Sequence, residues 1–266
     1  MTIPIGCTII PRPPKGVNFM ISKENIGEQN TRKEDHSTIE RFEHTDVNNI
    51  TQMREILEIC KDPVNMAHLA GISQGTGISD IIGHYKKDPQ ERDGQVMLEN
   101  GHVIGIFEVS PFDPSRLGNP ADNYPSWQIK SAILNRVAIR SNEHNKGNGT
   151  KLVKYAEKVA FGGEHEYSTL IAAIILDPEQ KEKYDQFLRE GKLNKVSQDY
   201  EKTDPRGKVY IKNRGWKLTG AFLDQGGVKE GEHNHVLIVT KTKTDWLEEQ
   251  ESEQEQPQHK NNLKSA

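Results

Sequence analysis

Between residues 37 and 245, apolar and polar positions follow the repeats typical of a mixed α/β domain. Apolar residues recur every three or four positions at 50–60 and 151–161, which predicts two amphipathic helices. Short apolar runs predict strands at 37–43, 95–99, 102–109, 130–139, 168–176, 216–222 and 235–240. The run 168–176 is almost continuously apolar, so it predicts a central strand buried on both faces.

Local signals add detail to this outline. Thr45 or Asp46 is expected to cap the first helix, and Asn100-Gly101 between two apolar runs predicts a β-hairpin. Further helical patterns are expected just after Asp62-Pro63, at 78–85, at 184–200 and, as a short helix, at 208–213.

The two ends of the chain lack such patterns. Residues 1–36 begin with four prolines among the first fourteen residues and then become polar, so they predict an irregular arm. Residues 246–266 are rich in Glu and Gln and contain no aromatic residue after Trp246, so they predict a solvated, disordered tail. The domain is therefore expected to span 37–245.

Composition excludes several classes of function. The chain carries 35 Lys and Arg against 39 Asp and Glu, a net charge of −4, which argues against a nucleic-acid binder. No run of 18 apolar residues is present, so no membrane span is expected. Cys7 and Cys60 are too few for a disulfide framework or a structural zinc site. The start shows no convincing signal peptide, and a cytoplasmic location is expected.

The informative chemical unit is Gly147-x-Gly149, which lies between a predicted strand and an amphipathic helix. Glycines let a ligand approach the backbone, and the start of a helix offers unpaired N–H groups that suit phosphate oxygens. An ordinary strand-to-helix turn is the alternative interpretation. Leu152 stands where a dinucleotide fold requires its third glycine, and no Gly-Lys-Ser/Thr sequence marks a P-loop.

Five segments resemble one known family in chain order. They are TIERFEHTD at 38–46, VMLENGHVIG at 96–105, HNKGNG at 144–149, TKLVKYAE at 150–157 and KNRGWKLTG at 212–220. Together they resemble the opening strand with its capped helix, the hairpin, the pyrophosphate motif, the helix that follows it and the C-terminal motif of the GNAT superfamily of acetyl-CoA-dependent N-acetyltransferases. The resemblance covers roughly residues 37–240.

The resemblance implies a mixed α/β fold, in which a central sheet with splayed parallel strands is flanked by helices. It also implies acetyl-CoA as co-substrate, with the pantetheine arm bound by strand backbone and the pyrophosphate bound by loop amides. The residues that it assigns to this binding are Val137, Ala138, Ile139, His144, Asn145, Lys146, Gly147, Asn148, Gly149 and Thr150.

The sequence departs from the family pattern at two places. His144 replaces the usual Arg or Gln, although Lys146 could supply a cation. The family's acidic tyrosine would fall at Ile211, whereas Tyr210 lies one residue earlier. Either the turn is irregular and Tyr210 donates a proton to the leaving thiolate, or Tyr210 packs in the core, or another group serves.

An insertion of some 30 residues, 177–208, lies where the family often has a short loop. Its tyrosines, Tyr184 and Tyr200, could enter the site, but a surface location is favoured for both. Glu108, among apolar residues of a predicted strand, is the candidate general base, because burial raises the pKa of a carboxyl group. A solvated Glu108 at an exposed strand end is the alternative.

The sequence thus predicts an N-acetyltransferase that transfers acetyl from acetyl-CoA to a primary amine of a small molecule by direct attack. A protein or peptide amine as acceptor, or a non-catalytic CoA-binding module, are the alternatives. No metal is expected, since His233 and His235 lack further ligands and suit a hairpin turn. The sequence does not fix the oligomeric state, and a homodimer is one option.

Overall fold

The computed structural model describes residues 40–69, 72–86, 93–112, 130–163, 167–224 and 233–255. These residues belong to one compact unit, Ile39–Phe112 together with Tyr124–Ala266. A second unit, Met1–Thr38 with Asp113–Asn123, lies outside the described residues, as does the arm predicted at 1–36.

Seven strands form one sheet in the order β1-β2-β3-β4-β5-β7-β6. Their bounds are β1 Glu40–His44, β2 Asp93–Glu99, β3 His102–Pro111, β4 Ser131–Ile139, β5 Thr169–Ile175, β6 Lys217–Phe222 and β7 Val236–Thr242. Only the β4–β5 pair of this sheet is parallel, and the other pairs are antiparallel. The predicted mixed α/β class is confirmed.

Eight α-helices accompany the described strands. They are α1 Ile50–Lys61, α2 Pro63–Met66, α3 Ile78–Lys86, α4 Asn148–Gly162, α5 Pro178–Arg189, α6 Leu193–Thr203, α7 Pro205–Gly207 and α8 Lys243–Glu255. A 3₁₀ turn covers Ser141–Glu143, and a π-helical turn covers Lys208–Asn213. The helix predicted at 184–200 is two helices, because Gly191 adopts a left-handed φ of 68° between them.

The sheet separates two hydrophobic cores. On one side, Met53, Ile56 and Cys60 of α1 pack with Ile81 of α3 against the sheet. On the other side, the apolar face of α4 and the inserted helices pack against the same strands, and this core holds Tyr184, Tyr200 and Tyr210. The first side is named the α1 side and the second the α4 side below.

The local predictions succeeded unequally. Asn100 and Gly101 adopt left-handed φ values of 51° and 84°, which confirms the predicted hairpin. The cap of α1 is Asn49, whose side chain accepts from the N–H of Gln52 at 3.1 Å, rather than Thr45 or Asp46. The predicted burial of β5 on both faces was wrong, because Ala173 is exposed.

The chain differs from the predicted tail at its C-terminal end, because α8 continues to Glu255. Thr242 caps the start of α8, because its hydroxyl oxygen accepts from the N–H of Asp245 at 3.1 Å. The Asp245 carboxylate accepts in return from the N–H of Thr242 at 3.3 Å. Trp246 then packs against Phe161 with ring centroids 5.8 Å apart. These contacts hold a polar sequence as a helix, which its composition alone did not indicate. Residues 256–266 lie outside the described chain.

A buried charge cluster joins α4 to the C-terminal strands. Glu157, fully buried on α4, accepts from Arg214 at 2.5 Å and from the indole N–H of Trp216 at 2.7 Å. Arg214 also pairs with Glu249 of α8 at 2.5 Å, and the buried Lys241 of β7 donates to the Glu249 carboxylate as well. The contacts that start from Glu157 therefore link four parts of the chain, namely α4, the segment just before β6, β7 and α8.

Removing the Glu157 carboxylate is expected to destabilise the fold strongly. Glu157→Ala leaves the buried Arg214 without one of its two counter-ions, which costs about 3–5 kcal/mol of unfolding free energy. The matched control is Glu253→Ala, which breaks a half-exposed ion pair with Lys154 and costs less than about 1 kcal/mol. Urea denaturation measures both, and equal losses would contradict the assignment.

A second polar cluster anchors the insertion to the end of β5. Arg206 donates to the carbonyl of Ile175 at 2.9 Å, to His68 Nδ1 at 3.0 Å and to Gln180 at 3.0 Å. Its guanidinium also pairs with the buried Asp204 at 2.9 Å. The insertion is therefore attached to β5 and to the segment after α2.

This cluster makes stability depend on pH in the acidic range. Burial raises the pKa of the Asp204 carboxyl, but the hydrogen bonds and charge of Arg206 outweigh burial and lower that pKa to about 2. A carboxyl whose pKa is depressed by folding stabilises the fold above its unfolded value, near 4, and this contribution is lost as the pH falls towards 2. The decline of unfolding free energy between about pH 4 and pH 2 should be shallower in Asp204→Asn than in the unaltered chain. Identical declines in the two proteins would show that Asp204 contributes nothing to the loss of unfolding free energy at acidic pH.

Candidate active site

The central feature of the site is a slot between β4 and β5. The two strands pair only at their starts, where Ser131, Ala132 and Ile133 face Thr169, Leu170 and Ile171. Beyond these pairs β4 runs on to Ile139 and β5 to Ile175 without pairing with each other. The splayed parallel strands implied by the sequence resemblance are thus present, and the slot widens towards the C-terminal ends of both strands.

β4 contains a bulge beside the slot. On β3, Ile106 faces Ala138 and Glu108 faces Asn135, so one extra residue of β4 is inserted between the two pairs. Arg136 in this bulge has a φ of 50°, which is unusual for a residue other than glycine, asparagine or aspartate. The bulge therefore holds Arg136 in a strained conformation at the edge of the slot.

The loop after β4 presents open backbone amides. Asn145 and Gly147 have left-handed φ values of 62° and 82°, and α4 begins directly afterwards. Among the described residues, none accepts a hydrogen bond from the N–H groups of 145–150. Gly147 occupies the N-cap position of α4 and has no side chain that could accept from these groups. Such a nest of N–H groups at the start of a 15-residue helix is suited to an anion.

The side chains of this loop are directed differently from the expectation. Lys146 pairs with the buried Glu143 at 3.0 Å, and Asn148 donates to the same carboxylate at 3.3 Å. His144 Nε2 donates to the carbonyl of Ile139 at 2.9 Å. The cation expected from Lys146 is therefore used within the protein, and the loop offers backbone N–H groups to an anion instead. The sequence pattern gave no signal for Glu143.

The end of β4 directs its peptide groups alternately to β3 and to the slot. The N–H of Arg140 donates to the carbonyl of Ile104 on β3. Because peptide groups alternate in direction along a strand, those of Ala138 also point to β3, and those of Val137 and Ile139 point to the slot. The carbonyl of Ile139 is already occupied, because Asn65 donates to it at 2.8 Å in addition to His144. The N–H of Ile139 and the peptide groups of Val137 line the slot.

The segment that contains α2 crosses the open end of the slot. Asn65 reaches the last carbonyl of β4, while His68, three residues later, accepts from Arg206, which in turn binds the last carbonyl of β5. Sequence analysis missed Asn65, His68 and Arg206, since their role arises from contacts between residues far apart in the chain. The opening is thus crossed by a short helix fixed to both strand ends.

Glu108 is buried on the α1 side, with 2% of its surface exposed, so the alternative of a solvated strand end was wrong. His84 Nε2 of α3 lies 2.7 Å from the Glu108 carboxylate. Burial raises the pKa of the neighbouring Tyr85 hydroxyl, and the Glu108 charge raises it further. A carboxylate paired with an imidazole is an arrangement that can accept a proton.

Tyr210 lies in the π-helical turn, which shows that this turn is irregular. Trp216 N–H donates to the Tyr210 carbonyl, and the two rings meet edge to face at 5.1 Å. The side chain is 6% exposed, and burial raises the pKa of its hydroxyl, so that it stays protonated. A Cβ added to Gly149 would lie 3.2 Å from Val209, which places this turn against the start of α4.

The tyrosines of the insertion are core residues. Tyr184 and Tyr200 are buried with 2% and 0% exposure, and their rings meet edge to face at 6.3 Å. The predicted surface location was wrong, because α5 and α6 fold their apolar faces onto the α4 side. His235 is also buried, between Asp185 at 2.7 Å and the N–H of Asp224 at 3.1 Å.

None of the helices in the described residues is long and apolar enough to span a membrane. The same residues include no cluster of three or more His, Cys, Asp or Glu side chains arranged to hold a metal ion.

Comparisons with known proteins agree on the fold. The sequence has no significant match among protein-family models or curated proteins. The structure resembles an N-acetyltransferase from Staphylococcus aureus Mu50 (TM-score 0.50, 16% identity, 77% of this chain and 99% of that one). It also resembles a ribosomal-protein-alanine N-acetyltransferase from Brucella melitensis (0.51, 16%, 76% and 99%). A third match is a spermidine N-acetyltransferase from Vibrio cholerae in complex with CoA and spermine (0.52, 12%, 78% and 98%). The splayed sheet, the β4 bulge and the open loop before α4 thus occur together in a chain that has the fold of the GNAT superfamily of N-acetyltransferases.

Proposed function

We propose that this protein is an N-acetyltransferase that uses acetyl-CoA as donor and a primary amine of a small molecule as acceptor. The observation that carries the proposal is the slot between β4 and β5, which opens beside the unpartnered N–H groups of residues 145–150. A diphosphate at the loop and an extended arm in the slot would use these two features together.

The residues present fit this donor. The N–H groups of Asn145, Gly147 and Gly149 belong to the set that would hold the diphosphate, and Val137 and Ile139 would bind the amides of the arm. Lys146 and His144 are engaged within the protein, so binding would depend on the backbone and on the dipole of α4. Bound acetyl-CoA would supply the activated acetyl thioester.

The side chains around the slot suit direct attack by an amine. Glu108, paired with His84, would accept the proton that the amine nitrogen loses as the N–C bond forms. The N–H of Ile139 would donate to the carbonyl oxygen as charge develops there. The hydroxyl of Tyr210 would give a proton to the sulfur as the C–S bond breaks.

A small acceptor is favoured by the elements around the open end of the slot. The α2 segment crosses this end and is attached to β4 through Asn65 and to β5 through His68 and Arg206. A flexible peptide would need more room beside these attachments than a small amine.

The second candidate function is a CoA-binding module without catalysis. It is favoured by the burial of Tyr210 against Trp216, because a ring packed in the core need not reach the sulfur. The two functions predict the same binding of acetyl-CoA and differ only in turnover.

Binding of acetyl-CoA is expected to raise the melting temperature, because the ligand binds the native state alone. At a hundredfold excess over Kd the stabilisation is about 2.7 kcal/mol. Gly147→Trp should abolish the shift by covering the loop amides. Gly191→Trp is the matched control, since Gly191 also has a left-handed φ and open space around it but lies between α5 and α6. A shift that survives in Gly147→Trp would place the ligand elsewhere.

Tyr210→Phe is expected to lower kcat on the order of a hundredfold with little change in KM, because it removes only the proton donor. Release of free thiol from acetyl-CoA with a panel of amines measures both constants. Tyr184→Phe, which removes a hydroxyl that donates to Asp199 within the insertion, is the control. An unchanged kcat would leave Tyr210 as a packing residue. Acetyl-CoA binding without thiol release for any amine would favour the non-catalytic module.

A further inference from the structure

Arg136 is an arginine whose charge is not neutralised within the described part of the chain. Arg41, Arg140, Arg189, Arg206 and Arg214 each pair with a carboxylate. Within the described ranges, only Arg54 and Arg136 have no ion pair or hydrogen bond from their guanidinium groups. Arg54 is exposed on α1, whereas Arg136 is half-buried in the β4 bulge. A half-buried guanidinium loses hydration without gaining a counter-ion, unless a ligand supplies one.

The charge of Arg136 acts on the α1 side of the sheet. Burial raises the pKa of the Cys60 thiol to about 11, and the Arg136 guanidinium acts in the opposite direction. Arg136 likewise opposes the rise that burial and Glu108 cause in the pKa of the Tyr85 hydroxyl. Arg136 and Glu108 thus act on the Tyr85 hydroxyl in opposite directions. Glu108 also faces Asn135, the residue before Arg136, across the β3–β4 pair.

The sheet next to Arg136 leaves room for a ligand. On the slot-facing strand β5, Ala173 is exposed, and Ile171 and Ile175 are half-buried. These side chains lie opposite the buried face of β5, and hence on the α1 side. The surface beside the slot thus combines an apolar floor, the Glu108–His84 pair and one unneutralised guanidinium.

The backbone at Arg136 supports a functional role for this side chain. A φ of 50° costs an arginine conformational energy that a glycine or asparagine would largely avoid. The bulge that imposes this conformation lies between the cross-strand pair of Glu108 with Asn135 and that of Ile106 with Ala138. Bulges near functional sites serve to redirect a side chain.

We propose that Arg136 binds an anionic group of the acceptor, and that the acceptor is an amine carrying a carboxylate, as in an amino acid. The planar guanidinium matches a carboxylate with two parallel hydrogen bonds. Glu108 and His84 then face the amino end of the same molecule. A polyamine would leave Arg136 unneutralised and add further positive charge beside it. This inference rests on the proposed function, because it names the substrate class of that site.

The test compares amines that differ only by a carboxylate. The pairs are tyrosine and tyramine, histidine and histamine, lysine and cadaverine, and tryptophan and tryptamine. For at least one pair, kcat/KM for the amino acid should exceed that for its decarboxylated partner on the order of 10- to 100-fold, as expected for a charge-assisted hydrogen bond. A preference for the decarboxylated member in all pairs, or for neither member in any pair, would overturn the proposal.

Variants of Arg136 assign the preference to this residue. Arg136→Gln should remove the preference by raising KM for the amino acid, and Arg136→Lys should retain part of it. Arg136→Asn, which tolerates a positive φ, is the second variant if the first folds poorly. Arg54→Gln is the matched control and should change nothing. Equal losses for both members of a pair in Arg136→Gln would show a structural role and overturn the assignment.

Calorimetry separates this proposal from the proposed function. Protein loaded with CoA is titrated with each member of the pairs, so that no transfer is needed. Tighter binding of the amino acid by the unaltered chain than by Arg136→Gln supports the proposal even if no thiol is released. No difference, or no binding of any pair, overturns it. The melting shift caused by acetyl-CoA should be the same in Arg136→Gln and the unaltered chain, and its loss would assign Arg136 to the donor instead.

Discussion

The fully buried carboxylate of Glu157 fixes the geometry on which the site depends. It lies midway along α4 and holds Arg214 and Trp216, the residues that directly follow the π-helical turn. The turn containing Tyr210 is therefore held against the start of α4, where Val209 packs next to Gly149. An ion pair in a core gains little net stability, because desolvation opposes the attraction, but it tolerates few alternative arrangements. We infer that Glu157 serves to set position more than to add stability.

The slot creates a different physical problem, since two strands that separate leave peptide groups without partners. Side chains bind some of these peptide groups and leave others without a partner. Asn65 and His144 occupy the last slot-facing carbonyl of β4, and Arg206 occupies the last carbonyl of β5. Buried peptide groups need partners, so side chains at the open end replace the missing ladder. Within the described strands, the slot-facing groups of Val137 and the N–H of Ile139 have no such partner. Under the proposed function, these are the groups that the arm of the donor would use.

Sequence reasoning succeeded where the signal was local. The Asn100-Gly101 hairpin, the amphipathic α4 and the glycine loop before it were predicted because turn chemistry and helical periodicity act over a few residues. It failed where distant contacts decide. Helix α8 is held in place because Trp246 packs against Phe161 and Glu249 pairs with Arg214. Tyr184 is buried because α5 packs onto the core of the α4 side. Arg136 and Glu143 gave no pattern at all, since a strand bulge and an internal ion pair have no sequence period.

The two sides of the sheet divide the chemistry of the proposed reaction. Glu108 and His84 lie on the α1 side with Arg136, whereas Tyr210 belongs to the core of the α4 side. A carboxylate and a phenol in direct contact would share a proton and each lose its separate role, because coupled groups titrate as a pair. With the sheet between them, a proton can be accepted on one side and another donated on the other. The slot is a break in the pairing of that sheet, so a thioester held there would be accessible from both sides.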